Sequence, residues 1–204
     1  DTIAFFLKAS HFILLIFLIF SAVIASAYYL WAGRPRTPEK LLTTAMSNYE
    51  LRPWYQPIMK GEPAVPVGCE VLVRWLHKES VIPPDQFIPL AEQTGLIVPL
   101  TRQVIKDVTD QFAISCKPEN PFYISFNISA RHLRSDMLEN DLNYFLSRVG
   151  SNIHLVIEIT EREIITSDDR IKRNIESLKD KGVRFALDDF GIGYSTLETL
   201  QYTP

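Results

Sequence analysis

Three apolar runs of β character each carry an oxygen-bearing side chain at the end, Asn127, Glu158 and Asp188, and the steps between these residues are 31 and 30 positions. A step of that size holds one strand, one helix and their loops, so the chain repeats a βα unit. Such a repeat forces the strands to run parallel, because each helix returns the chain to the start of the sheet. The pattern extends to both sides. Apolar alternation marks strands at Val65–Trp75, Phe122–Asn127, His154–Thr160 and Val183–Asp188, and 3.6-residue periodicity marks helices near Pro84–Thr94, Pro99–Phe112, Asp136–Val149 and Ser167–Lys181. Ile171, Ile175 and Leu178 share one face of the last helix, and Gly182 ends it. An open doubly wound sheet would also gather strand ends, but no GxGxxG or GxxxxGK[ST] loop follows any strand. The expected fold is α/β, a TIM-type (β/α) barrel. A complete barrel takes about 250 residues, so 204 residues imply an incomplete one.

In a parallel barrel the carboxyl ends of the strands open on one face, and side chains there converge although they lie far apart in sequence. Glu70, in an earlier strand, joins Asn127, Glu158 and Asp188, and Asp189 stands beside the last of them. Carboxylates and an amide oxygen without His or thiolate form a hard donor set, which favours Mg²⁺ or Mn²⁺ over zinc. A divalent cation is also the physical reason to keep several crowded carboxylates charged. Any one of these residues alone reads as a solvated strand-end acid or a helix cap. Their recurrence at matching positions makes a site.

The amino-terminal segment carries no charged side chain from Phe12 to Trp31. That length crosses a bilayer as a helix and exceeds the apolar core of a signal peptide, about 7 to 15 residues. Lys8 precedes it and Arg34, Arg36 and Lys40 follow it, with Tyr28, Tyr29 and Trp31 at the boundary. By the positive-inside rule the remainder is expected in the cytoplasm, with the helix in the bacterial inner membrane. The expected organisation is a transmembrane helix with its flanks at 1–33, a juxtamembrane connector at 34–48 and the barrel portion at 49–204. With 21 Lys and Arg against 24 Asp and Glu, the chain lacks the basic field that a nucleic acid polymer requires. Cys69 and Cys116 have no metal-ligand spacing and read as buried free thiols.

Several stretches carry a family resemblance. Tyr55-Gln56-Pro57-Ile58, Glu70-Val71-Leu72-Val73-Arg74-Trp75, Phe87-Ile88-Pro89-Leu90-Ala91-Glu92, Phe126-Asn127-Ile128-Ser129, Glu158-Ile159-Thr160-Glu161 and Asp188-Asp189-Phe190-Gly191-Ile192-Gly193-Tyr194-Ser195 resemble, in order, the motifs of EAL domains. EAL domains are phosphodiesterases that open the bacterial second messenger cyclic di-GMP to linear pGpG. The resemblance runs from about Leu41 to Pro204 and implies a metal-dependent hydrolase. It places one ion on Glu70, Asn127, Glu158 and Asp188 and a second beside Asp189, with Glu70, Asp188 and Asp189 catalytic. It gives Arg74 a substrate phosphate and Gln56 a guanine, and it gives the Gly191–Ser195 loop a role in the metal site and in a homodimer interface.

Arg74 also makes sense physically, since it lies four residues from Glu70 on the same strand face and offers paired donors to phosphate oxygens. The signature reads Glu-Val-Leu where the family has Glu-Ala-Leu. Val71 points to the opposite face of the strand from Glu70, so the exchange alters packing and leaves the chemistry alone. In the family the pattern continues past the position of Pro204 into strands bearing a Lys-Ile-Asp, a Glu and a Gln. The resulting expectations are a fragment of a longer product, inactive by itself, and a parent with a preceding periplasmic sensor. The alternative function is a non-catalytic cyclic di-GMP receptor or protein-interaction module.

Overall fold

The computed structural model describes residues 2–32, 37–115, 117–160 and 168–188, and the chain divides into two compact units, Asp1–Thr37 and Pro38–Pro204. The first unit is helix α1, Thr2–Ala32. At 1.5 Å per residue its 31 residues extend about 46 Å. Every side chain from His11 to Leu30 is exposed, and this stretch is long and apolar enough to cross a membrane.

The second unit begins with α2, Pro38–Ser47, whose Leu42 and Ala45 are fully buried in the common core. The stretch expected as a connector therefore packs as part of the larger unit. An antiparallel hairpin follows, β1 Leu51–Lys60 with β2 Val65–His77, and β3 Ser80–Ile82 pairs with the far end of β2. Next come α3 Pro84–Thr94, α4 Ile97–Ser115, β4 Phe122–Asn127, α5 Ala130–Leu133 and α6 Met137–Leu146. The described chain closes with β5 Ile153–Thr160, α7 Asp169–Asp180 and β6 Arg184–Asp188. The strands form one sheet in the order β1-β2-β4-β5-β6, with β2, β4, β5 and β6 mutually parallel as the repeat requires.

The two faces of the sheet differ sharply. Cys69, Val71, Trp75, Ile124, Phe126, Leu155, Ile157, Ile159, Val183 and Phe185 are all buried and alternate along their strands, so one face is the floor of the helical layer. Burying a side chain such as Ile157 contributes roughly 1.5–3 kcal/mol, and this face gathers most of the sheet's share. α4 covers it with a helical stripe, Ile97, Leu100, Thr101, Val104, Ile105, Val108 and Thr109, packing against α3, α6 and β1. The opposite face carries Gly68, Glu70, Ser125, Asn127, Glu158, Ala186 and Asp188, among them the four oxygen-bearing residues singled out in the sequence.

Candidate active site

Side chains two apart on a strand share a face, and paired residues of adjacent parallel strands share it too. The register pairs Glu70 with Ser125, Asn127 with Glu158, Glu158 with Ala186, and Thr160 with Asp188. Every step from Glu70 to Asp188 across this ladder is an even number of residues, so Glu70, Asn127, Glu158 and Asp188 all project from the same face. They are not level. Asn127 and Glu158 stand one side-chain pair above Glu70, and Asp188 one pair higher again. That rising stagger is the shear by which a parallel sheet curls into a barrel.

All four line one cavity of about 520 Å³, together with Asp85, Ile88, Pro89 and Glu92 of α3 and the loop through Ser129. Asn127 donates from Nδ2 to Glu70 Oε1 at 2.9 Å. Burial pushes the Glu158 carboxyl above its ordinary range, and the charges of Glu70 and Asp188 push it further. Among the described residues no three His, Cys, Asp or Glu side chains are drawn close enough to enclose an ion as they stand. The donor set nevertheless fits a hard divalent cation. Its groups are oxygens on one face, and their mutual repulsion is of the kind a cation relieves. Asp189 and the Gly191–Ser195 loop lie outside the described residues, as does Cys116. Cys69 is buried, as expected.

Local contacts fix the strand that presents Asn127. Immediately after it, the Ile128 amide donates to the Glu158 carbonyl at 3.1 Å, and Ser129 caps α5 by accepting from the His132 amide. His132 is fully buried, with Nε2 3.3 Å from Asp141 Oδ2, and Arg102 Nε approaches the same carboxylate at 2.9 Å. Burial lowers the His132 pKa, opposed by Asp141. Arg131 lies over Gly95, whose φ of +82° ends α3 and whose hydrogen leaves room for the guanidinium. In α3, Pro89 lacks the amide hydrogen that would bond the Asp85 carbonyl, and both residues face the cavity.

On β1, Gln56 pairs with Glu70 and so shares its face. Arg74 lies on this face as well, with Nη1 donating to the Val73 carbonyl at 3.0 Å and its guanidinium 5.8 Å from the Trp54 ring. No motif or spacing singles out as site residues Asp85 and Glu92, which line the cavity, or Trp54, which shares the sheet face of Gln56. The first two lie in or beside the Phe87–Glu92 motif on α3, and Trp54 is two residues from Gln56, which on a strand is the same face. A second cleft of about 560 Å³ between α2, α4 and α6 holds cations already engaged, Arg102 with Asp141 and Lys106 with Asp110.

The family profile described as EAL domain matches residues 39–204. The chain belongs to the EAL-domain family. It is 42% identical over 173 residues to the cyclic di-GMP phosphodiesterase PdeL of Escherichia coli (strain K12), covering 82% of this chain and 47% of PdeL. With the probable cyclic di-GMP phosphodiesterase PdeG of the same organism it shares 40% identity over 192 residues, 92% of this chain and 38% of that one. A solved structure of the PaMucR phosphodiesterase in complex with c-di-GMP superposes with a TM-score of 0.70 at 32% identity, covering 80% of this chain and 67% of that chain. The chain spans less than half the length of these two curated relatives. The mixed α/β architecture with its parallel sheet is that of EAL structures.

Proposed function

We propose that the protein is a membrane-bound, metal-dependent phosphodiesterase that hydrolyses cyclic di-GMP to linear pGpG. The observation that carries this reading is the gathering of Glu70, Asn127, Glu158 and Asp188, from four successive parallel strands, on one face of one cavity in an EAL-family chain. These residues would hold one divalent cation, with Asp189 beside a second. When bound, two such ions activate a water and stabilise the leaving oxygen of an in-line displacement at phosphorus. Arg74 contributes donors toward a phosphate, and its bond to the Val73 carbonyl holds the guanidinium close to the strand backbone. Gln56 presents an amide, donor and acceptor together, to a base edge. α3 closes the cavity wall with Ile88 and Pro89, which limits water around the phosphodiester.

The test is turnover of cyclic di-GMP by the full-length protein in detergent. Chelation is expected to abolish it and Mg²⁺ or Mn²⁺ to restore it. Ca²⁺ is expected to bind and support a much slower reaction, because its larger, looser shell orients water and phosphate less tightly. Equal rates in Ca²⁺ and Mg²⁺ would refute a geometry-dependent two-metal site. Tight binding of cyclic di-GMP with no turnover in any of these ions would instead establish a receptor.

The same reading places α1 in the inner membrane and residues after it in the cytoplasm, supported by Arg34, Arg36 and Lys40 against Lys8. A reporter fused after Lys40 is expected to be active only if its activity requires the cytoplasm. Activity of a phosphatase that folds only in the periplasm, fused at that point, would reverse the orientation and separate the domain from a cytoplasmic messenger.

A further inference from the structure

The row of β1 side chains beside the metal-ligand face contains an exposed aromatic residue that neither the EAL motifs nor the oxygen donor set uses. The register sets Gln56 against Glu70, Trp54 against Leu72 and Arg52 against Arg74, so Gln56 and Trp54 follow one another on the sheet face that carries Glu70. Trp54 leaves 49% of its surface exposed there. Its neighbour Tyr55 faces the other way, donates to Gln111 Oε1 at 2.5 Å and packs edge-on against Phe112, ring centroids 5.5 Å apart. Those contacts hold β1 against α4 and leave the Trp54 side chain on the opposite face, the one that carries Glu70. The indole centroid lies 5.8 Å from the Arg74 guanidinium carbon, within cation–π range.

An exposed, oriented indole between an amide suited to a base edge and a cation suited to a phosphate is the arrangement that recognises a nucleotide. We propose that Trp54 is a substrate-binding residue whose exposed ring face stacks on a purine base of the dinucleotide while Arg74 lies over the same indole ring. Aromatic side chains bind bases through the π-face, and the adjacent Gln56 supplies the hydrogen-bond selectivity that stacking lacks. This inference rests on the phosphodiesterase reading above, and the experiment separates the two.

Wild type, Trp54→Ala and Trp54→Phe versions of the full-length protein are compared in cyclic di-GMP turnover, with GMP and inorganic phosphate as competitive inhibitors. Absence of turnover in the wild type refutes the phosphodiesterase reading itself, and the role of Trp54 in it falls too. Where the wild type turns over, Trp54→Ala is expected to raise KM about 5- to 150-fold, the range that base–aromatic stacking supplies. Trp54→Phe is expected to recover most of that loss. Inhibition by GMP should weaken several-fold more than inhibition by inorganic phosphate, since only GMP carries a base. Equal weakening of both inhibitors, or a fall in kcat with KM unmoved, would overturn stacking and leave Trp54 as a brace for Arg74 alone.

Discussion

Replacing Glu70 by alanine is expected to reduce cyclic di-GMP turnover by the full-length protein by more than about 100-fold. Outer-shell partners of metal ligands already cost about 10- to 100-fold when removed, and Glu70 would be a direct ligand. Its position makes it the hub of the donor set. It accepts a hydrogen bond from Asn127 at 2.9 Å, and its charge helps hold the Glu158 carboxyl above its ordinary range. Glu70→Gln separates two explanations, because glutamine keeps an acceptor for Asn127 and discards the charge. If the negative charge that Glu70 offers the cation is what matters, the glutamine variant should be nearly as inactive as the alanine one. Both should bind Mn²⁺ more weakly in direct titration. Neither should lower the unfolding temperature by more than a few degrees, since removing one of several repelling carboxylates costs the fold little. Retention of a tenth or more of wild-type turnover by Glu70→Ala would remove Glu70 from the site.

Much of this arrangement is legible in the residue order, for a specific physical reason. A parallel strand buried against helices must alternate or run apolar, and its helix must carry a 3.6-residue stripe, so each βα unit announces itself twice. β4 spans the residues expected of it, β5 begins one residue earlier, and Gly182 ends the segment after α7 with φ +83°. Strand β1 was less visible. Pro53 and Pro57 interrupt its pattern, and prolines are compatible with a strand when their missing donors face away from the ladder, as on an edge. β1 is the end strand of the described sheet, and β3 has too few residues to show a period. α5 was also missed, being a single turn capped by Ser129 without an acidic residue three positions on.

The candidate site is legible in the sequence as a set of proposed residues and illegible as a geometry. Steps of 31 and 30 residues suggest that Asn127, Glu158 and Asp188 occupy equivalent heights, but a residue count sums loops and helices as well as strands. The ladder sets Asp188 beside Thr160, two residues beyond Glu158, and Glu70 beside Ser125, two residues before Asn127. Only pairing between strands reveals that stagger. The same holds for Trp54, whose relevance comes from its register with β2 and from nothing in its own segment.

Gly68→Ala is expected to destabilise the domain by about 2–3 kcal/mol, the upper part of the range for overpacking a well-packed site, and Gly68→Val by more. Gly68 pairs with Tyr123 where β2 meets β4, and a Cβ at this position would fall well inside van der Waals contact of the Tyr123 carbonyl oxygen. The Tyr123 backbone has little freedom to retreat, because β4 is paired on its other side with β5 from Phe122 to Asn127. The added methyl therefore has to part the strands, and the β2–β4 ladder runs only from Gly68 to Val71. Glu70 lies within that short ladder, so the same displacement moves it away from Asn127. Two measurements follow. Denaturant unfolding should show the loss of stability, and Mn²⁺ titration of the folded fraction should show weakened binding although no ligand has been changed. Trimming the neighbour with Tyr123→Ala should not rescue Gly68→Ala, because the clash is with a backbone oxygen that every residue carries. Stability within about 0.5 kcal/mol of wild type, the level of an ordinary surface substitution, would show that the strands have slack at this crossing. Rescue by Tyr123→Ala would show that the side chain, and not the backbone, sets the spacing between β2 and β4.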